Sequence, residues 1–267
     1  MKAPLISLLG ISIMANSASA VIVTLNATAD HSGVIRNQGT NVLQYKRPDS
    51  LWGTANGTIS QRRNGLIEFE SLDPSVQTGI SNGTIIVNSV TLELWNTTNG
   101  WASTTLDFSR LADANTGWAA LNGPDDGRDG VNSWNNINET DGTDWAGSTG
   151  AGNNTKGTPG QQIFGSLTSS NPGGTTLGAT KWDVPLSGSE MSDWLSNPSI
   201  APNLLASWQS GAESGAAQTR FATINTVDSN DEFAPNLVVD YTVIPEPGSL
   251  ALLLLGCSSI TLRRRRK

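Results

Sequence analysis

The residues with the most chemistry to offer lie between positions 117 and 178. Asp125, Asp126 and Asp129 crowd into the turn 123–130, which reads Gly-Pro-Asp-Asp-Gly-Arg-Asp-Gly. Clustered carboxylate oxygens suit Ca²⁺, a hard cation that prefers oxygen ligands. The loop departs from the EF-hand pattern, because the third and twelfth positions counted from Asp125 are Gly127 and Asn136. A solvated acidic turn is therefore the competing reading. Trp118, Trp134 and Trp145 punctuate the same Gly-, Asn- and Thr-rich stretch, in a chain with nine tryptophans but only two tyrosines. An exposed indole can stack on the apolar face of a sugar ring, whereas a loop tryptophan that folds back seals the rim of a core. Both roles are open for each of the three.

Catalytic groups are sparse. The one histidine, His31, stands beside Asp30, and the one cysteine is Cys257. A single histidine gives no nucleophilic triad a confident set of members, and zinc lacks its usual nitrogen and sulfur ligands. No glycine-rich phosphate loop of the G-x-x-x-x-G-K-S/T form is present. Carboxylates are numerous enough that a glycosidase pair survives as a third, minor reading. The chain reads as a non-enzyme.

The elements that must position these loops are strands. Ile67 and Phe69 alternate with Glu68 and Glu70; Val90, Leu92 and Leu94 with Thr91, Glu93 and Trp95; Leu106 and Phe108 with Asp107 and Ser109. Near the end, Leu237, Val239, Tyr241 and Val243 alternate with Val238, Asp240 and Thr242. Period two with one apolar face predicts antiparallel strands packed on a core, polar face to solvent. Val21–Leu25, Val34–Arg36, Leu204–Trp208 and Arg220–Ile224 are shorter candidates. One short helix is expected after Ser187-Gly188-Ser189-Glu190, which has capping-box spacing, with Met191, Trp194 and Leu195 on its inward face. The expected fold is all-β: an antiparallel, jelly-roll-like β-sandwich with one short helix.

Charge narrows the partners. The whole chain carries −7, but Lys2 and five terminal cations supply six of its 16 Lys+Arg, and Glu246 supplies one of its 23 Asp+Glu. Residues 21–243 thus carry about −12, a surface that repels phosphate backbones and argues against nucleic acid. That stretch has no cysteine, so disulfides cannot stabilise it.

Both ends look like targeting segments. Lys2, an apolar run from Leu5 to Ala15 and the small residues Ala18-Ser19-Ala20 have the order of a secretory signal peptide, residues 1–20, with signal peptidase cutting before Val21. At the other end, Ile244-Pro245-Glu246-Pro247-Gly248 precedes a mostly apolar stretch, Ser249–Leu262, and then Arg263, Arg264, Arg265, Arg266 and Lys267. The prolines stop a strand, since each lacks a backbone donor. The cations would stay cytoplasmic while the remainder is exported. Fourteen residues of helix reach roughly 21 Å against a hydrocarbon core of about 30 Å, which suits a transient anchor better than a permanent one.

The tail, residues 244–267, resembles the PEP-CTERM sorting signal of bacterial exported proteins. That resemblance implies the motif Pro245, Glu246, Pro247, an apolar C-terminal helix, the cluster Arg263–Arg266, and processing near the motif by a membrane-embedded exosortase. It also implies a destination at the cell surface or in an exopolysaccharide matrix. The middle, residues 21–243, resembles the DNRLRE domain, a secreted β-sandwich related to a carbohydrate-binding-module family. The resemblance rests on Ala29-Asp30 with Val34-Ile35-Arg36, on Arg63-Asn64-Gly65-Leu66-Ile67-Glu68-Phe69, and on Val87–Leu94. It continues through Trp118, Val131-Asn132-Ser133-Trp134-Asn135, Trp182-Asp183-Val184 and the closing Pro235–Tyr241. The string Asp-Asn-Arg-Leu-Arg-Glu itself is absent. Together these features imply an exported structural or adhesive protein, alternatively a module that binds extracellular polysaccharide.

Overall fold

The computed structural model describes residues 18–36, 43–45, 51–56, 58–95, 104–111, 113–121, 136–138, 142–145, 163–169, 180–187, 190–198, 201–208, 216–221 and 233–245. Among the described residues there are thirteen strands: β1 (Ser19–Arg36), β2 (Leu43–Tyr45), β3 (Leu51–Asn56), β4 (Thr58–Phe69), β5 (Ile85–Trp95), β6 (Thr104–Arg110), β7 (Asn136–Asn138), β8 (Thr143–Asp144), β9 (Ile163–Ser169), β10 (Lys181–Leu186), β11 (Asn203–Trp208), β12 (Ala216–Phe221) and β13 (Asn236–Val243). Two helices, α1 (Pro74–Asn82) and α2 (Glu190–Leu195), and a 3-10 segment, Asp113–Leu121, complete the elements. The all-β expectation holds.

One path runs through eight antiparallel strands in the order β10-β5-β13-β1-β4-β11-β6-β9, with β2, β3 and β12 attached beside it and β7-β8 forming a separate small ladder. β1 joins the two halves: its first part pairs with β13 and its second with β4, the register slipping between Ala27 and Ser32. The alternation read from the sequence explains the interior. Leu25 and Ala27 of β1, Ile67 and Phe69 of β4, Val90, Leu92 and Leu94 of β5, and Leu237, Val239 and Tyr241 of β13 enter one buried cluster. Leu106, Phe108, Leu204 and Phe164 reach it from the other half.

The ends of the path approach each other, so the sheet is barrel-like rather than two separate faces. The Ser187 amide donates to the Phe164 carbonyl at 2.7 Å, just past β10 and within β9. Gly165 makes this approach feasible, since a Cβ there would lie 2.6 Å from the Pro185 carbonyl oxygen. A strand glycine often marks such a close backbone approach.

α2 lies where expected and buries Met191, Trp194 and Leu195 in the main cluster. Trp194 packs against Phe164 with ring centroids 5.2 Å apart. The Ser187 hydroxyl points to the Phe164 carbonyl at 3.4 Å. α1 was not expected. Asp73 caps it by accepting from the Ser75 amide at 2.8 Å, Pro74 occupies its first turn, and Gly83 ends it in the left-handed region at φ 77°. Gln77 ties α1 to α2 by donating to the Asn197 carbonyl at 3.3 Å.

The cap makes one pH-dependent prediction. The Ser75 hydroxyl and amide hold the Asp73 carboxyl below its ordinary 3.8. A depressed folded-state value contributes stability above the unfolded value and loses it as pH falls through the folded one. Asp73→Asn, which still caps, should therefore unfold with a shallower loss of Tm than the parent as pH is lowered below about 4. Parallel Tm-versus-pH curves for the two chains would show that Asp73 contributes nothing through its charge.

One expectation needs correction. Asp107 and Ser109 alternate with core residues, yet both are buried rather than solvent-facing. The outer side of β4, β11 and β6 carries a second buried cluster: Leu66, Leu205 and Leu111 with Trp118 and Trp145. Two tryptophans of the segment expected to be an open polar loop, Trp118 and Trp145, thus pack over the sheet. Asp107 is satisfied there by the Ser166 hydroxyl, which donates at 2.6 Å.

Candidate functional site

Two of the three expected ring platforms lie among the described residues. Trp118 and Trp145 are each 1% exposed, so neither offers a face to a glycan. The Trp118 indole N–H donates to Asn203 Oδ1 at 2.7 Å, and Asn203 Nδ2 donates onward to the Ala201 carbonyl at 2.7 Å. This arrangement satisfies polar atoms in a buried site, as buried polar groups require. For these two tryptophans the rim-sealing role replaces the platform role, because the apolar outer faces of Leu66 and Leu205 need a cover. Asn203 was not singled out in the sequence; its only signal is a polar residue directly ahead of the apolar pair Leu204-Leu205. Trp134, Asp125, Asp126 and Asp129 lie outside the described residues. Among the described residues, no three His, Cys, Asp or Glu side chains gather as a metal site.

The outer face of β10-β5-β13-β1 carries polar and aromatic groups together. Trp95 is half-buried at the end of β5, as its alternation implied, and sits 6.4 Å from the Phe233 ring, tilted by 58°. Lys181 on β10, paired in register with Trp95, lies over the indole at 5.4 Å. Its ammonium bonds Glu93 and lies 3.0 Å from Asp183 Oδ1. The Glu93 hydrogen bond leads in raising the Lys181 pKa above its ordinary value. Exposed pairs of this kind contribute at most about 1 kcal/mol, so the cluster orders the surface more than it stabilises the fold. Further along the same face, Asn88 donates to Asp240 Oδ1 at 3.1 Å and to the Thr242 hydroxyl at 2.9 Å.

The third candidate feature is the sheet end next to the two segments expected to be targeting signals. β1 and β13 pair antiparallel, with Ser19 opposite Val243, Ala20 opposite Thr242 and Val21 opposite Tyr241. The expected signal-peptidase junction between Ala20 and Val21 and the expected sorting motif after Ile244 therefore leave neighbouring strand ends. The Ile244 amide donates to the Thr84 carbonyl at 2.7 Å, which fixes the chain just before Pro245. Of the motif residues, Pro245 is described; Glu246, Pro247 and the cluster Arg263–Arg266 lie outside the described residues, as does the apolar tail segment. Among the described residues, no helix is long and apolar enough to cross a membrane.

Neither protein-family models nor curated proteins provide a match to the chain. The described residues define the class as a mostly antiparallel, barrel-like β protein, with two short helices among them.

Proposed function

We propose that this is a non-enzymatic exported protein, structural or adhesive, sorted by a PEP-CTERM-type tail to the cell surface or extracellular matrix. The observation that carries the proposal is the antiparallel pairing of β1 with β13, in which Val21 stands opposite Tyr241. This pairing brings the start of β1 and the end of β13 to one end of the sheet, which supports a reading in which a leader and a tail both attach there. A domain attached in this way can be drawn through export by one end and anchored by the same end, while its remaining surface faces outward. Signal peptidase and an exosortase-type enzyme are the processing partners this reading requires. For the architecture, the DNRLRE-like jelly-roll assignment is supported by β1, whose two parts serve both halves of the sheet around one core.

The test is cell fractionation of the wild-type chain and the double variant Pro245→Ala/Pro247→Ala. Wild type should collect in surface or matrix material, while the variant stays in the membrane fraction at its uncut mass. Identical distribution of both would contradict sorting through the motif.

Polysaccharide binding is the second reading, supported by Trp95 on the outer face rather than by the buried Trp118 and Trp145. A sugar ring stacking on Trp95 would have to displace the Lys181 ammonium, so an acidic glycan, able to take that cation as a partner, fits better than a neutral one. Calcium binding by Asp125, Asp126 and Asp129 belongs to this reading.

A further inference from the structure

The exposed large hydrophobic side chains are not scattered. Ile22 is 70% exposed and Ile86 51%, and Val243 and Ile244 are also exposed; among the described residues only Ile163, on β9, belongs to the same group elsewhere. Register sets the four at one end of the sheet. Ile86 stands opposite Thr242 of β13, and Thr242 stands opposite Ala20 of β1. Ile22 is two residues further along β1, and Ile244 two residues beyond Thr242. Period-two alternation places Ile22, Ile86 and Ile244 on the outer face, with Val243 at the rim. Isolated exposed apolar residues need no explanation, but several gathered at one corner do, even where Thr242 and Asp240 of β13 stand between Ile22 and the other three.

The position of the group says what covers it. It lies at the sheet end from which the tail departs, and only six residue steps separate Ile244 from Leu250, where the uninterrupted apolar run begins. Fully extended, six steps reach no more than about 22 Å. With the tail in a bilayer, the corner is held at the headgroup region whether or not it binds there. Chain tethering removes most of the entropic cost of a second contact, since the local concentration of bilayer surface is then very high. Isoleucine side chains suit such a contact, whereas the domain's overall negative charge resists adsorption of other faces to anionic lipid. Asp240, opposite Ile22, borders the patch and is held by Asn88, so the patch favours a zwitterionic over an anionic surface.

We infer that Ile22, Ile86, Val243 and Ile244 form a membrane-resting corner that seats the domain on the phospholipid surface beside its own inserted tail. This rests on the reading of the tail as a membrane-inserting segment. Its effect is to fix the orientation of the domain and keep Pro245 at the lipid surface until the tail is removed.

The test uses the full chain reconstituted into phosphatidylcholine vesicles that contain a doxyl-labelled lipid. A fluorophore on the native Cys257 reports tail insertion. In a Cys257→Ser background, fluorophores on Ile22→Cys, Ile86→Cys and, as a control on β9, Thr168→Cys report the domain surface. All three replaced side chains are exposed, so folding is preserved. Quenching of roughly twofold or more is expected at positions 257, 22 and 86, for side chains seated about 5–10 Å into the interface, with none at 168. Quenching at 257 with positions 22 and 86 no more quenched than 168 would overturn the corner while leaving the tail reading intact. Absence of quenching at 257 would overturn both. Cross-linking of position 22 to position 22 of a second copy, in place of lipid quenching, would overturn it in favour of a dimer contact.

Discussion

Trp118→Ala should destabilise the domain by about 3–5 kcal/mol, the range for truncating a large buried aromatic side chain. The indole is 1% exposed and packs with Trp145, Leu66, Leu111 and Leu205 on the outer side of β4, β11 and β6. Its removal opens a cavity and uncovers leucines that the sheet cannot rearrange to hide. Against a total stability of about 5–15 kcal/mol, that loss is a large fraction. Trp118→Phe separates the two contributions. It keeps most of the packing but deletes the N–H that Asn203 accepts, leaving a buried oxygen short of a donor at a cost of about 1–3 kcal/mol. Urea denaturation of both variants measures the order, with Ala worse than Phe and both worse than wild type. A folded Trp118→Ala domain of unchanged midpoint that has lost binding to a polysaccharide gel would instead make the residue a ligand platform.

Gly165→Ala should lower stability by about 1–3 kcal/mol, the usual cost of forcing extra volume into a packed site, and Gly165→Val by more. The added Cβ meets a backbone atom, the Pro185 carbonyl oxygen at 2.6 Å, and then Leu186 Cδ2 at 3.1 Å. A flexible side chain could turn aside; a strand carbonyl held in register with β5 cannot do so without moving β10. The strain therefore separates β9 from β10 and breaks the bond from the Ser187 amide to Phe164. Hydrogen exchange at Ser187 should accelerate in the variant. Opening that seam also exposes strand edges, so the variant should aggregate sooner on heating. Unchanged exchange at Ser187 would show that the sheet does not depend on this closure.

Much of the sheet was legible because period two is a local signal. Val90, Leu92 and Leu94, and Leu237, Val239 and Tyr241, are buried, and their alternating partners are less buried than they are. α2 was legible for the same reason at period 3.6. Four things were not. The burial of Asp107 and Ser109 depends on a segment that follows them in sequence and folds over their strand, which no alternation pattern encodes. Trp118 and Trp145 sit in polar, glycine-rich surroundings that read alike whether an indole faces solvent or folds inward. α1 did carry a local signal, Asp73 and Pro74 at its start and Gly83 at its end, but Val76 and Ile80 are too few to draw a helical stripe. The adjacency of the start of β1 and the end of β13 was also invisible, because it is set by pairing between strands far apart in the sequence.

The central claim is that the domain is exported and released from its tail, and intact-mass analysis of protein recovered from the cell surface tests it most directly. The mass should correspond to a chain that begins at Val21 and lacks Arg263–Lys267. Recovery of surface protein that still carries Arg263–Lys267 would contradict it.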